Sequence, residues 1–181
     1  MFIRLKYIVL VFTLVSFTSF SQELVQNKKE SSITFKIKNL GFNVNGSFKD
    51  FTFLSNFNSK NLKESFINVE INVNSIFTDS KGRDKHLLKS DFFDVEKHPE
   101  IVFKSSEIEE KNNGKYLIKG AILIKGVQKK LEVPLEIKET ETNVIILANF
   151  VLNRKDFGVG GSSFVLSKKV NIKMRYVANK N

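Results

Sequence analysis

Residues 31–49 read SSITFKIKNLGFNVNGSFK. Ile33, Phe35 and Ile37 alternate with Thr34, Lys36 and Lys38, and then Phe42, Val44, Gly46 and Phe48 alternate with Asn43, Asn45, Ser47 and Lys49. Successive side chains of a strand point to opposite faces, so this period of two predicts half-buried β-strands with one apolar and one solvated face. The same pattern recurs along the chain. Phe51 and Phe53 continue it, and Ile67, Val69, Ile71 and Val73 form the next inward face. Ile101, Phe103 and Ser105 follow, and then Tyr116, Ile118, Gly120, Ile122 and Ile124. Leu131, Val133, Leu135 and Ile137 alternate with charged residues and Pro134. Ala148, Phe150 and Leu152 come next, and Val170, Ile172, Met174 and Tyr176 close the series. Asn112-Asn113-Gly114 and Gly126 supply chain reversals, because Asn and Gly tolerate the positive φ of tight turns. Pro134 lacks a ladder donor, which puts its strand at an edge or a bulge. Short strands joined by tight turns predict an all-β, antiparallel sandwich or barrel of about eight strands.

One stretch breaks the alternation. Between Asp79 and Ser90 the chain predicts a short helix, with Thr78 or Asp79 as its cap and Leu87-Leu88 facing the barrel. Asp91 to Val95 predicts a further turn before Pro99 restores extended backbone. At the N-terminus, Arg4 and Lys6 precede an apolar or hydroxyl-bearing run from Tyr7 to Phe20, and Ser19-Phe20-Ser21 has small residues where a signal peptidase reads. Residues 1–21 are therefore expected to be a cleaved signal peptide, Gln22 to Glu30 a loose polar arm, and residues 31–178 one domain in the periplasm or outside the cell. The apolar run is too short for a typical membrane span.

Composition narrows the chemistry. Cleavage would remove Arg4 and Lys6 and no acid, lowering the formal charge from +10 to +8. There is no cysteine, so disulfides and a lipidated N-terminal Cys are excluded. Eighteen Phe against three Tyr and no Trp predict a core with few polar atoms to satisfy. The lysines alternate with apolar residues along strands, as on a solvated sheet face, so no nucleic-acid partner is expected; attraction to an anionic membrane surface fits the charge better. His86 and His98 have no third nitrogen or sulfur ligand, so neither a metal nor another cofactor is expected. No nucleophile-elbow sequence supports a Ser-His-Asp enzyme. Gly158-Val159-Gly160-Gly161 lacks the Gly-Lys-Ser/Thr ending of a phosphate loop and reads as a flexible turn.

What remains is a container. A small closed barrel either fills its interior with side chains or holds one ligand there. Gly46 and Gly120 have inward parity; each either leaves room for a ligand or marks a bend or close backbone approach. Arg154 shares inward parity with Phe150 and Leu152. A charge there needs a partner or a place at the rim, which leaves two readings: a salt bridge to Asp84 or Asp156, or contact with a ligand's head group.

The interruption carries further information. Ser80 to Ser105 reads SKGRDKHLLKSDFFDVEKHPEIVFKS, with Arg83-Asp84, His86-Leu87, Asp91-Phe92-Phe93-Asp94 and Pro99 in order. Gly46-Ser47-Phe48 precedes it, and Tyr116 through Gly120 to Gly126-Val127 and Arg154-Lys155-Asp156-Phe157-Gly158 follow. Together these resemble the YceI-like family of lipocalin-like β-barrels that bind polyisoprenoid lipids, over about Ser31 to Val177. The resemblance implies a binding protein, not an enzyme, holding a long-chain isoprenoid such as a polyprenol or an isoprenoid-quinone tail. Phe35, Ile37, Phe42, Val44, Phe48, Val69, Ile71, Phe103, Ile118, Ile122, Phe150, Leu152 and Met174 would line the tube. Arg83, Asp84, His86 and Arg154 would stand near the head group, in a monomer or homodimer. Two other classes stay open: a lipid-modifying enzyme using the Asp84/His86 region, and a small outer-membrane barrel, which would want Tyr and Trp girdles that this chain lacks.

Overall fold

The computed structural model describes residues 24–112 and 114–180; the expected signal peptide lies outside them. Eleven strands and one short helix follow in order: β1 (Leu24–Gln26), β2 (Ser32–Asn39), β3 (Phe42–Phe48), β4 (Phe51–Ser55), β5 (Ile67–Asn72), β6 (Ile76–Phe77), α1 (Lys81–Leu87), β7 (Glu100–Asn112), β8 (Lys115–Ile124), β9 (Val127–Glu139), β10 (Asn143–Asn153) and β11 (Leu166–Lys180). Neighbours pair antiparallel in the order β4-β5-β7-β8-β9-β10-β11-β2-β3-β6, with β1 added along β11. This is the all-β antiparallel architecture expected, with ten strands in the main path where about eight were read. The extra count comes from short pieces: β6 is two residues long, and a tight turn at Lys49-Asp50 separates β3 from β4. At that corner Lys49 N–H donates to Ser75 O at 3.1 Å and Asn72 N–H to Asp50 O at 3.0 Å. These bonds tie the two ends of the sheet together and curl it round its apolar face.

The inward rows meet in one core. Ile33, Phe53, Val69, Ile118, Val133, Ile146 and Tyr176 are buried, and each large apolar side chain so enclosed contributes about 1.5–3 kcal/mol. β7 shows why parity alone misleads late in that strand. Its pairing with β8 shifts between Ser105 and Glu107, and the extra residue moves Ile108 into the core. The segment expected as a loose arm is also corrected. Leu24 is buried, and Leu24, Val25 and Gln26 pair with Lys180, Asn179 and Ala178. The alternation there is too short to register as a strand without its partner.

β9 and β10 part company halfway. Their pairing runs from Val144↔Glu139 to Ala148↔Leu135 and stops next to Pro134, as a residue without an N–H dictates. Beyond that point the two strands are not paired with each other. Lys125, in the β8–β9 turn, donates to Ser90 O at 2.8 Å and Gly158 O at 3.0 Å. Gly160 N–H donates to Asp91 O at 2.8 Å. The helical insertion and the loop after β10 thus lie at the same end of the molecule.

Candidate functional site: an apolar tube with a cationic mouth

The sheet encloses a cavity of about 420 Å³, within the range of small-molecule sites. Ile33, Phe35 and Ile37 of β2 face Ile172 and Met174 of β11 across their ladder, and Ile118 and Ile122 of β8 and Phe150 and Leu152 of β10 extend the wall. Exposure is graded along the tube. On β2 it rises from buried Ile33 to half-buried Phe35, Ile37 and Asn39; on β11 it rises from Tyr176 to Met174, Ile172 and Val170. One end is therefore shut. There Tyr176 stacks on Phe53 at 4.7 Å and Phe57 meets Tyr116 edge-on at 5.3 Å. Burial pushes the Tyr176 hydroxyl up to about 12, so it stays a neutral phenol.

The other end is the mouth, and the insertion partly roofs it. Leu87, Phe92 and Phe93 border the cavity, with Phe93 edge-on to Phe48 at 6.4 Å and His86 edge-on to Phe92 at 5.0 Å. Thr78 holds the insertion in place. Its hydroxyl donates to the Asp84 carboxylate at 2.5 Å and accepts from Arg83 Nε at 2.7 Å, while its N–H donates to Asp84 at 2.9 Å and its carbonyl accepts from Arg83 Nη2 at 2.7 Å. Helix α1 starts after Ser80, so neither Thr78 nor Asp79 is its cap. Thr78 acts through its side chain on the helix interior instead.

Several expectations about the site are corrected. Phe42 keeps inward parity and pairs with Asn39, which borders the cavity, but its own side chain is 78% exposed at the rim and does not border it. Asp84 does not border the cavity; its carboxylate is turned onto Thr78. The glycines leave no void. A Cβ on Gly46 would stand 2.2 Å from Phe35 Cζ, and one on Gly120 would stand 2.3 Å from the Lys104 carbonyl oxygen and 2.7 Å from Phe103 Cζ. Phenylalanine rings from neighbouring strands lie over both, so these glycines admit aromatic packing and a close backbone approach.

Arg154 is the largest correction. It is only 5% exposed and makes no salt bridge to Asp84 or Asp156. Backbone carbonyls hold it instead: Nε donates to Ser167 O at 2.9 Å, Nη1 to Val159 O at 2.6 Å and Gly161 O at 3.2 Å, and Nη2 to Leu166 O at 3.0 Å. The Gly158–Gly161 turn is thus a collar round a guanidinium. Gly160 has φ +71°, and a Cβ there would meet Phe92 at 2.8 Å and Arg154 Nη1 at 3.0 Å, so the collar requires glycine. Desolvation holds the Arg154 pKa below its ordinary value, yet arginine stays charged.

The remaining residues of the expected tube, with Arg83, His86 and Arg154, all border the cavity, joined by Thr78, Phe92 and Leu166. Arg83, His86 and Arg154 bring positive or protonatable groups to the mouth, and no carboxylate borders it. His86 Nε2 lies 2.9 Å from Asp91 Oδ2, and that contact draws the Asp91 carboxyl below its usual range. Among the described residues no group of three metal-ligating side chains occurs, and no helix is long and apolar enough to cross a membrane. Thr78 was read only as a helix cap, because its role needs a turn that brings it back onto α1. Leu166 was missed because it precedes an irregularity in the β2–β11 register.

The profile of the YceI-like domain matches residues 25–178. The chain belongs to the YceI-like family. A UPF0312 protein of Vibrio parahaemolyticus is 35% identical over 107 residues, covering 59% of this chain and 57% of that protein. The chain thus matches little more than half the length of this curated relative. BcnA of Burkholderia cenocepacia shares the fold, with a TM-score of 0.81 at 23% identity over 84% of this chain and 99% of that one. So does a domain from Saccharophagus degradans described as polyisoprenoid-binding, with a TM-score of 0.70 at 12% identity over 89% and 99%.

Proposed function

We propose that this YceI-like protein is exported and holds a long-chain isoprenoid lipid for carriage, storage or sequestration. The isoprenoid tail lies in the tube and the head group stands at the mouth beside Arg83 and His86. One observation carries the reading: among the described residues the sheet encloses a tube that is apolar along its length, closed by Tyr176 and Phe53 at one end and open at the end where Arg83 and Arg154 stand. From Ile33 to Asn39, six steps of about 3.3 Å along a strand tilted near 40° give a tube about 15 Å deep. That depth suits a hydrocarbon chain and excludes strongly hydrated ligands, whose polar groups would find no partners along the wall. The neighbour described as polyisoprenoid-binding adds support at the level of the fold. Export rests on the charge, the apolar run and the small residues of positions 1–21.

The test is purification from the native host, followed by native mass spectrometry and fragmentation of the extracted ligand. An isoprenoid released from the protein is the expected result. Protein that comes out empty, and takes up neither a polyprenol nor an isoprenoid quinone, would overturn the proposal. Met174→Trp fills the tube from β11 and should weaken uptake at least tenfold with the fold intact. N-terminal sequencing of the exported protein should begin at Gln22.

A further inference from the structure

Two loops frame the open end, and both turn apolar side chains to water. In the hairpin between β2 and β3, Leu40 and Phe42 are 66% and 78% exposed. Just before β11, Phe164 is fully exposed and Val165 half so. The loops are joined, since Leu40 N–H donates to Val165 O at 2.9 Å. Single exposed apolar residues are ordinary. Four on two linked loops beside an apolar cavity form a patch that folding does not require.

Leu40 strengthens the point. Asn39 pairs with Phe42, leaving Leu40 and Gly41 as a two-residue turn with φ of +51° and +83°. Such a turn favours Asn-Gly, and a bulky L-residue is disfavoured at positive φ. Leucine gains no burial there to offset the strain, so its value lies outside the folded chain. Charge accompanies the patch. The groove beside Phe164 and Val165 is lined by Lys38, Lys155 and Lys168 and by no carboxylate. Among the described residues none of these lysines has an ion-pair partner. Ser163, Val165 and Leu166 border both this groove and the tube.

We infer that this rim is a docking face for an anionic lipid bilayer. Leu40, Phe42, Phe164 and Val165 enter the interfacial layer while the lysines meet negative head groups, the combination that holds peripheral proteins on membranes. Docked so, the mouth opens at the bilayer, and an apolar chain passes between lipid and tube without crossing water. The face does not depend on which lipid the tube takes, so its test is separate from uptake.

The absence of cysteine allows a site-specific readout. Ser162→Cys in the rim and Glu141→Cys in the β9–β10 turn at the shut end each take an environment-sensitive dye. Vesicles of phosphatidylcholine with about 30% phosphatidylglycerol should shift the dye at 162 to the blue and leave that at 141 unchanged; pure phosphatidylcholine should do much less. Full-length wild type and variants, in the form the host produces, are then compared by vesicle flotation. Lys155→Glu with Lys168→Glu should lower affinity by about 25-fold or more, since each lysine near an anionic surface is worth roughly fivefold. Leu40→Asn, Phe42→Ser and Phe164→Ser together should lower it at least about tenfold, leaving uptake of a soluble short-chain isoprenoid unchanged. Leu40→Asn suits the turn, so poor folding is not expected; if the triple variant does fail to fold, the dye at 162 still decides. No blue shift at 162, or triple-variant binding equal to wild type, would overturn the inference. A concentration-dependent dimer abolished by the triple variant, without vesicle binding, would also overturn it and assign the rim to a second copy of the chain.

Discussion

Replacing Arg154 with methionine keeps the side chain's length and removes every donor. Four carbonyls then lose their partner, but they are not equal. The bond to Val159 O is buried, so that oxygen has no access to water and its loss costs about 1–3 kcal/mol. The bonds to Ser167, Leu166 and Gly161 are partly buried; those oxygens recover some hydration and cost nearer 0.5–1 kcal/mol each. Part of the total returns because a buried charge is no longer desolvated. The net expectation is about 3 kcal/mol of lost stability, read as a drop in urea midpoint with an unchanged slope. For a domain of this size that lowers the melting temperature by about 6–12 °C. Arg154→Lys keeps the charge but cannot reach all four oxygens, and should recover less than half. Limited proteolysis should find new cleavage between Gly158 and Leu166, since the collar closes on nothing. Arg154→Met combined with Asp84→Asn should be additive within about 0.5 kcal/mol, because the two side chains share no partner. A loss under 1 kcal/mol for Arg154→Met would refute the collar argument and leave Arg154 free for the head group.

Gly46→Ala should cost about 1–2 kcal/mol and be largely rescued by Phe35→Leu, because the ring it meets can move. Gly120→Ala should cost more and resist rescue by Phe103→Leu, since the Lys104 backbone oxygen lies in its way; equal costs in urea titrations would contradict this. Thr78→Val leaves Arg83 Nε without its acceptor and should destabilise by about 1–3 kcal/mol, while Thr78→Ser stays near wild type in the same assay. Lys111 and Lys119 hold the Glu109 carboxyl down at about 2, against 4.5 when unfolded. Its stabilisation is therefore present above pH 4.5 and lost as pH falls toward 2. Lys119, raised to about 12 by Glu109 and Glu107, contributes below 10.5 and loses that contribution as pH approaches 12. Carbon-detected titration should place the Glu109 midpoint near 2, and Glu109→Gln should flatten this part of the acid limb.

The alternation from Ile33 through Tyr176 determined by itself that the chain is antiparallel β with one apolar face, because a strand's period of two is local and burial acts on it directly. The break at Ser80–Ser105 and its short motifs placed the insertion and the family. Pro134 suggested an edge strand or a bulge; β9 instead pairs on both sides, and the missing N–H shows as the point where its ladder to β10 ends. Tertiary structure decided everything that depends on a partner distant in sequence. Leu24 becomes a strand residue only against Lys180, and Ile108 turns inward only because β7 bulges against β8. Gly46 and Gly120 left open on paper either room for a ligand or a close approach, and Phe35 and Phe103 decide for the close approach in space. Arg154 called for a countercharge by electrostatics, but carbonyls can satisfy a guanidinium equally well, and carbonyls are invisible in a sequence because every residue has one. Phe42 shares its neighbours' parity and still falls outside the tube. Alternation says which face a side chain takes, while only the assembled barrel says where that face ends.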